Sequence, residues 1–88
     1  MKTIAEYKQM LAAEGLLASD NAETADFSQE VPDVSYNSLT VKPGTLFLCK
    51  GANFKEAYLA DALAKGACGY VAARDMNMGP DVPCLVTG

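Results

Sequence analysis

Histidine and tryptophan are absent from this chain of 88 residues. Without histidine the usual general base is missing, so Ser–His or Cys–His nucleophilic catalysis cannot be built from it. Cysteine is sparse: Cys49, Cys68 and Cys84 are odd in number and far apart, and no C-x-x-C occurs. A zinc site or redox dithiol is therefore not expected, and the thiols read as reduced, mostly buried small hydrophobes. Positive charge is also short, with seven basic against eleven acidic side chains and a net charge of −4. That balance disfavours a nucleic-acid backbone or an anionic membrane as partner. No apolar run approaches the ~18–20 residues needed to cross a bilayer. Met1-Lys2-Thr3 leads into an amphipathic pattern, not a signal-peptide core. A cytoplasmic location is the expectation. The phosphate-binding pattern G-x-x-x-x-G-K-[ST] is missing as well, and with no metal-ligand cluster in view the chain offers neither catalytic nor metal-binding residues of its own.

Half of the residues are apolar, enough for one domain over residues 1–88 with a modest core. Thr3-Ile4-Ala5-Glu6 fits a capping box, and apolar residues at Ile4, Tyr7 and Leu11 predict a helix over residues 4–14 that ends at Gly15, with Leu16 and Leu17 next. Residues 18–32 are polar and aperiodic and read as a surface loop, with a weak strand near Phe27.

The central stretch, residues 34–54, reads as a short strand over 34–37, a Lys42-Pro43-Gly44-Thr45 turn, a strand over 45–49, and Gly51 opening a helix. Pro43 presets φ at the second turn position, and Gly44 supplies the positive φ of a type II turn. Asn53 is the candidate N-cap of the next helix, expected over residues 54–65 with Phe54, Tyr58, Leu59, Ala62 and Leu63 on one side. Lys65 falls in its last turn, where a cation suits the helix dipole, and Gly66 is its stop. Residues 69–73 and 84–86 read as buried strands, and residues 74–81 as loop. Strand, helix and strand joined by short loops call for a right-handed crossover with parallel pairing. The fold class is α/β: a small Rossmann-like sheet of at least three mostly parallel strands, with 45–49, 69–73 and 84–86 as neighbours, and two flanking helices.

The ordered set Tyr36-Asn37-Ser38, Pro43-Gly44-Thr45-Leu46-Phe47, Gly51 and Ala62-Leu63-Ala64-Lys65-Gly66-Ala67 resembles the N-terminal domain of the Mur ligases, over about Val34 to Val86. Within that family it looks most like the members that add the third residue of the peptidoglycan stem peptide. The resemblance implies an ATP- and Mg2+-dependent amide ligase as the parent protein, in which ATP phosphorylates the substrate carboxylate and an incoming diamino acid attacks the acyl phosphate. The chain itself would be the domain that holds the UDP part of UDP-N-acetylmuramoyl-L-alanyl-D-glutamate, lacking the central ATPase and C-terminal domains, and inactive alone. Carried over by position, the UDP contacts are Tyr36, Asn37 and Ser38, then Ala52, Asn53 and Phe54. Ser38 offers a hydroxyl, Asn53 both an acceptor and a donor, and Phe54 or Tyr36 a ring for a pyrimidine.

Each of these residues also has a structural reading: Ser38 as a turn brace, Asn53 as a helix cap, Phe54 as core. Lys42 and Lys50 read as solvated flanks, with Lys50, next to Gly51, the one placed for a diphosphate. Where the family commonly has Asp-Ser-Arg, this chain has Asn37-Ser38-Leu39, so both an acid and a base are absent and no ion pair is expected to brace the loop. Two alternatives stay open: the N-terminal domain of the Mur ligase that adds the terminal dipeptide, and a non-enzymatic α/β interaction module. The amino acid added, lysine or diaminopimelate, is not legible here.

Overall fold

In the computed structural model, which describes residues 1–49 and 54–87, the first helix starts as its sequence predicts. Thr3 caps α1 (Ile4–Ala13): its Oγ1 accepts from the Glu6 amide at 3.2 Å, and Glu6 Oε1 accepts from the Thr3 amide at 3.1 Å. The other end closes with Leu16 N–H donating to Leu11 C=O at 2.9 Å and Gly15 N–H to Ala12 C=O at 3.1 Å, the paired bonds that satisfy a helix's orphan carbonyls.

Five strands form the sheet: β1 (Leu17–Asp20), β2 (Val34–Ser35), β3 (Leu46–Leu48), β4 (Gly69–Ala72) and β5 (Cys84–Thr87), with α2 (Glu56–Ala64) between β3 and β4. They lie in the order β1-β5-β4-β3-β2. The four from β2 to β5 are parallel, and β1 runs antiparallel on β5. The α/β class, the parallel trio β3-β4-β5 and the two helices agree with the sequence reading.

The segment read as loop does not. Leu17–Asp20 is an edge strand, paired with Thr87, Val86 and Leu85 across an irregularity. Leu-Ala-Ser-Asp has no β-branched residue, and its strand state comes from the backbone partners that β5 presents, a tertiary effect that overrides local preference. The strand expected near Phe27 is absent. Phe27 is buried in a turn, and its carbonyl accepts from Ala5 N–H at 2.9 Å.

The core alternates strictly across the sheet. Phe47, Tyr70, Ala72, Cys84 and Val86 point to one face with Leu59 and Ala62 of α2. Leu46 and Leu85 point to the other, with Ile4 of α1 and with Ala25, Phe27 and Val31 from the long connection. Side chains of period two on a sheet covered by a helix on each side produce this division. The thiols are free: Cys84 is buried, while Cys49 and Cys68 are half-buried. Burial, with Cys84 nearby, pushes the Cys49 thiol up to about 12, and burial pushes Cys68 and Cys84 up too.

Two connections lock α2 to the sheet. Thr45 N–H donates to Lys42 C=O at 3.0 Å and Gly44 has φ +90°, the predicted turn. Helix α2 begins later than expected, with its N-cap at Lys55 and no side-chain cap. Asn53, the residue expected to cap it, lies outside the described residues. Lys65 is its C-cap, just beyond the last turn, and Gly66 comes next at φ +101° with its carbonyl accepting from Gly44 N–H at 2.8 Å. Thus the end of α2 is tied to the turn that launches β3.

Candidate functional site

In an open parallel sheet, ligands bind in crevices beyond the carboxyl ends of the strands, and among the described residues that edge carries the segments leaving β2 and β4. Tyr36 and Asn37 leave β2, and Ser38–Thr40 form a single 3₁₀ turn. The turn is densely bonded. Asn37 Oδ1 accepts from Leu39 N–H at 2.9 Å, and Asn37 C=O accepts from Thr40 N–H at 3.0 Å and from Thr40 Oγ1 at 3.1 Å. Ser35 Oγ accepts from Asn37 N–H at 3.1 Å and lies 2.9 Å from Thr40 Oγ1. With its acceptor bonded to Leu39, the Asn37 amide keeps an N–H2 group, a donor of the kind suited to phosphate, ribose or carbonyl oxygens.

Lys65 arrives from the far end of α2. Its ammonium donates to Ser38 C=O at 2.9 Å and pairs with Asp61 at 2.9 Å. The triplet has no ion pair of its own to brace the loop; the structure supplies hydroxyls from the loop itself and a cation from α2 instead.

Tyr36, Asn37 and Ser38, three of the expected contacts, are brought together. With Leu39 and Tyr58 they line a hollow of ≈ 370 Å³. Tyr36 is 67% exposed, Leu39 80% and Tyr58 42%, so the hollow has one half-open aromatic on α2 opposite an aromatic and an aliphatic on the loop. Phe54 stands apart from this hollow: it is half-buried and packs on the core cluster of the α2 face. Ala52 and Asn53, with Lys50 and Gly51, lie outside the described residues. Beyond β4, Arg74 pairs with Glu56 at the start of α2, both largely exposed.

Sequence reasoning does not place Tyr58 beside the Tyr36–Leu39 loop, because its spacing groups it with the core side of α2. A finer reading of the same spacing separates them. Leu59 and Ala62 are fully buried, which turns Tyr58, Asp61 and Lys65, spaced i, i+3 and i+7, onto the neighbouring face. That face packs on the 3₁₀ turn.

A second polar hollow of ≈ 290 Å³, lined by Asn21, Thr24, Asp75, Asn77, Gly79 and Pro80, is a clasp. Asn21 Nδ2 donates to Val82 C=O at 2.7 Å and its Oδ1 accepts from Cys84 N–H at 2.7 Å. Asp75 accepts from the Tyr70 hydroxyl at 3.3 Å and from Asn77 N–H at 2.7 Å, while burial pushes the Tyr70 phenol up. Both groups are spent on holding residues 73–82 against the sheet. No group of metal-ligating side chains occurs among the described residues.

No family model matches the chain. It is 51% identical over 53 residues to the UDP-N-acetylmuramyl-tripeptide synthetase of Limosilactobacillus reuteri (strain DSM 20016), covering 60% of this chain and 10% of that protein. It is 42% identical over 53 residues to the UDP-N-acetylmuramoyl-L-alanyl-D-glutamate--L-lysine ligase of Streptococcus pneumoniae serotype 2, covering 60% of this chain and 11% of that protein. The ligase of that same name from Enterococcus faecalis (strain ATCC 700802 / V583) is 41% identical over 59 residues, which is 67% of this chain and 12% of the relative. This chain is a Mur ligase relative. The resemblance read from Tyr36-Asn37-Ser38 through Ala67 is borne out, and it points to the tripeptide-synthetase branch. The Mur-ligase-like chain spans about a tenth of the length of these curated relatives. No helix among its described residues is long and apolar enough to cross a membrane.

Proposed function

We propose that this chain is the substrate-recognising domain of an ATP-dependent, amide-forming ligase of peptidoglycan synthesis in the cytoplasm, and that it holds the UDP part of UDP-N-acetylmuramoyl-L-alanyl-D-glutamate. The observation that carries this reading is the 51% identity to a tripeptide synthetase, with the bonded Tyr36–Leu39 loop at the carboxyl edge of the parallel strands as its geometric support. Tyr36, Asn37 and Ser38 form one half of the site and Ala52, Asn53 and Phe54 the other. The L-lysine ligases among the relatives favour lysine as the amino acid added by the parent.

ATP and Mg2+ belong to the parent's reaction. The chain carries no G-x-x-x-x-G-K-[ST], and ligase activity is not expected of it alone. Its own chemistry is recognition. The Asn37 amide donates, the Ser38 hydroxyl donates or accepts, and the aromatic ring of Tyr36 offers a stacking face.

An NMR titration with UDP tests this. The amides of Tyr36, Asn37 and Ser38 and those of Ala52, Asn53 and Phe54 should shift together, and Ser38→Ala should weaken binding by about 0.5–1.5 kcal/mol. Absence of shifts in both segments at millimolar UDP overturns the reading and leaves an α/β interaction module.

A further inference from the structure

We propose that Lys65 is the positioning residue of the Tyr36–Leu39 loop: held by Asp61, it fixes the Ser38 backbone from outside the hollow and so sets how the loop meets a ligand. The ligand half of this inference rests on the function proposed above; the mechanical half does not.

Lys65 is 27 residues from Ser38 in sequence, and the two meet because the 3₁₀ turn and α2 lie side by side. Its ammonium has three donors, of which one reaches Ser38 C=O and one reaches Asp61 Oδ2, each at 2.9 Å. Asp61 lies one turn back on α2, so it holds the lysine stem along the helix rather than free in solvent. A charged donor to a neutral carbonyl is a stronger bond than an amide pair. The side-chain bonds of Ser35, Asn37 and Thr40, by contrast, are all made within residues 35–40. Those local bonds give the loop its internal shape; the Lys65 bond ties that shape to α2, and hence to Tyr58 across the hollow.

The anchor is itself firm. Gly66, the next residue, has no room for a side chain, because a Cβ there would meet Pro43 Cα at 2.9 Å, and its carbonyl is bonded to Gly44 N–H. The lysine backbone therefore cannot drift from the turn that launches β3. Lys65 is not among the residues lining the hollow, so its effect on a ligand runs through Ser38.

The test uses the chain with Lys65→Met, Lys65→Arg and Asp61→Asn. Lys65→Met keeps the stem and removes the charge; Arg restores a donor able to reach both partners. Hydrogen exchange of the Leu39 and Thr40 amides, without ligand, reads the loop directly. Protection should fall by about threefold to tenfold in Lys65→Met, less in Asp61→Asn, and return in Lys65→Arg, with any fall in the urea midpoint no larger than that loss accounts for. UDP affinity should follow the same order. In the unmodified chain, raising the salt concentration should lower that protection, since the Lys65–Asp61 pair is half-exposed. Unchanged protection in Lys65→Met overturns the mechanical half. Lost protection with undiminished UDP affinity overturns the ligand half. Failure of the unmodified chain to bind UDP overturns the proposed function instead, and the exchange data still decide whether Lys65 holds the loop.

Discussion

Adding one methyl group at Gly66 should damage this fold far more than adding the same group at Gly15, although both glycines end helices with positive φ. At Gly15, φ is +71° and a Cβ would meet nothing within 4 Å. Alanine there carries only the left-handed penalty of about 1–2 kcal/mol, partly offset by about 0.4–1 kcal/mol from the stiffer unfolded chain. At Gly66, φ is +101° and the new Cβ would lie 2.9 Å from Pro43 Cα and 3.3 Å from Pro43 Cβ. The first of these is backbone, so either α2 or the turn must move, and the Gly44–Gly66 bond at 2.8 Å resists that. Overpacking of this kind adds about 1–3 kcal/mol. The net cost is about 1 kcal/mol or less for Gly15→Ala and about 2–3 kcal/mol for Gly66→Ala. For a domain of this size the latter corresponds to a fall in Tm on the order of 10–20 °C. Urea denaturation monitored by circular dichroism, with equal m values, measures both. Equal midpoints for the two variants would refute the close approach of α2 to Pro43.

Phe54→Ala should lower stability by about 1–3 kcal/mol, because the ring packs half-buried on the α2-face core; loss of UDP binding at unchanged stability would instead make it a stacking platform. Ellman's reagent at pH 8 should label the folded chain slowly and the urea-unfolded chain fast, since burial keeps the Cys49 thiol, at about 12, neutral; immediate labelling of native Cys49 contradicts this. For Asp20, burial raises the carboxyl pKa, but the hydrogen bond from Ala22 N–H and the Lys8 ammonium at 3.1 Å outweigh it and hold the group below its ordinary value. A depressed folded value stabilises above the unfolded one and is lost as pH falls through the folded one. Asp20→Asn should therefore cost about 0.5–1 kcal/mol at pH 7, with the difference from the unmodified chain closing below about pH 4; a gap that persists in strong acid would mean the cost is steric.

Helix α1, with its capping box at Thr3–Glu6, the turn at Pro43-Gly44, the Gly66 stop and the three parallel strands around Phe47, Tyr70 and Leu85 were legible from residues alone. Each is a local matter: a cap needs a hydroxyl and a carboxylate three residues apart, a type II turn needs a residue free of Cβ, and a strand covered on both faces needs an unbroken apolar run. The family resemblance was legible too, since it rests on the order of such local features. What only tertiary structure decided is everything that depends on a distant partner. Leu17–Asp20 is a strand because β5 offers it backbone groups, and Phe27 is buried in a turn because Ala5 and the α1 face receive it. Tyr58 faces the hollow because Leu59 and Ala62 claim the core. Lys65, which its sequence position suited to a helix dipole, reaches Ser38 instead, because the sheet order brings the turn after β2 alongside α2, and no pattern of residues near Lys65 encodes that carbonyl.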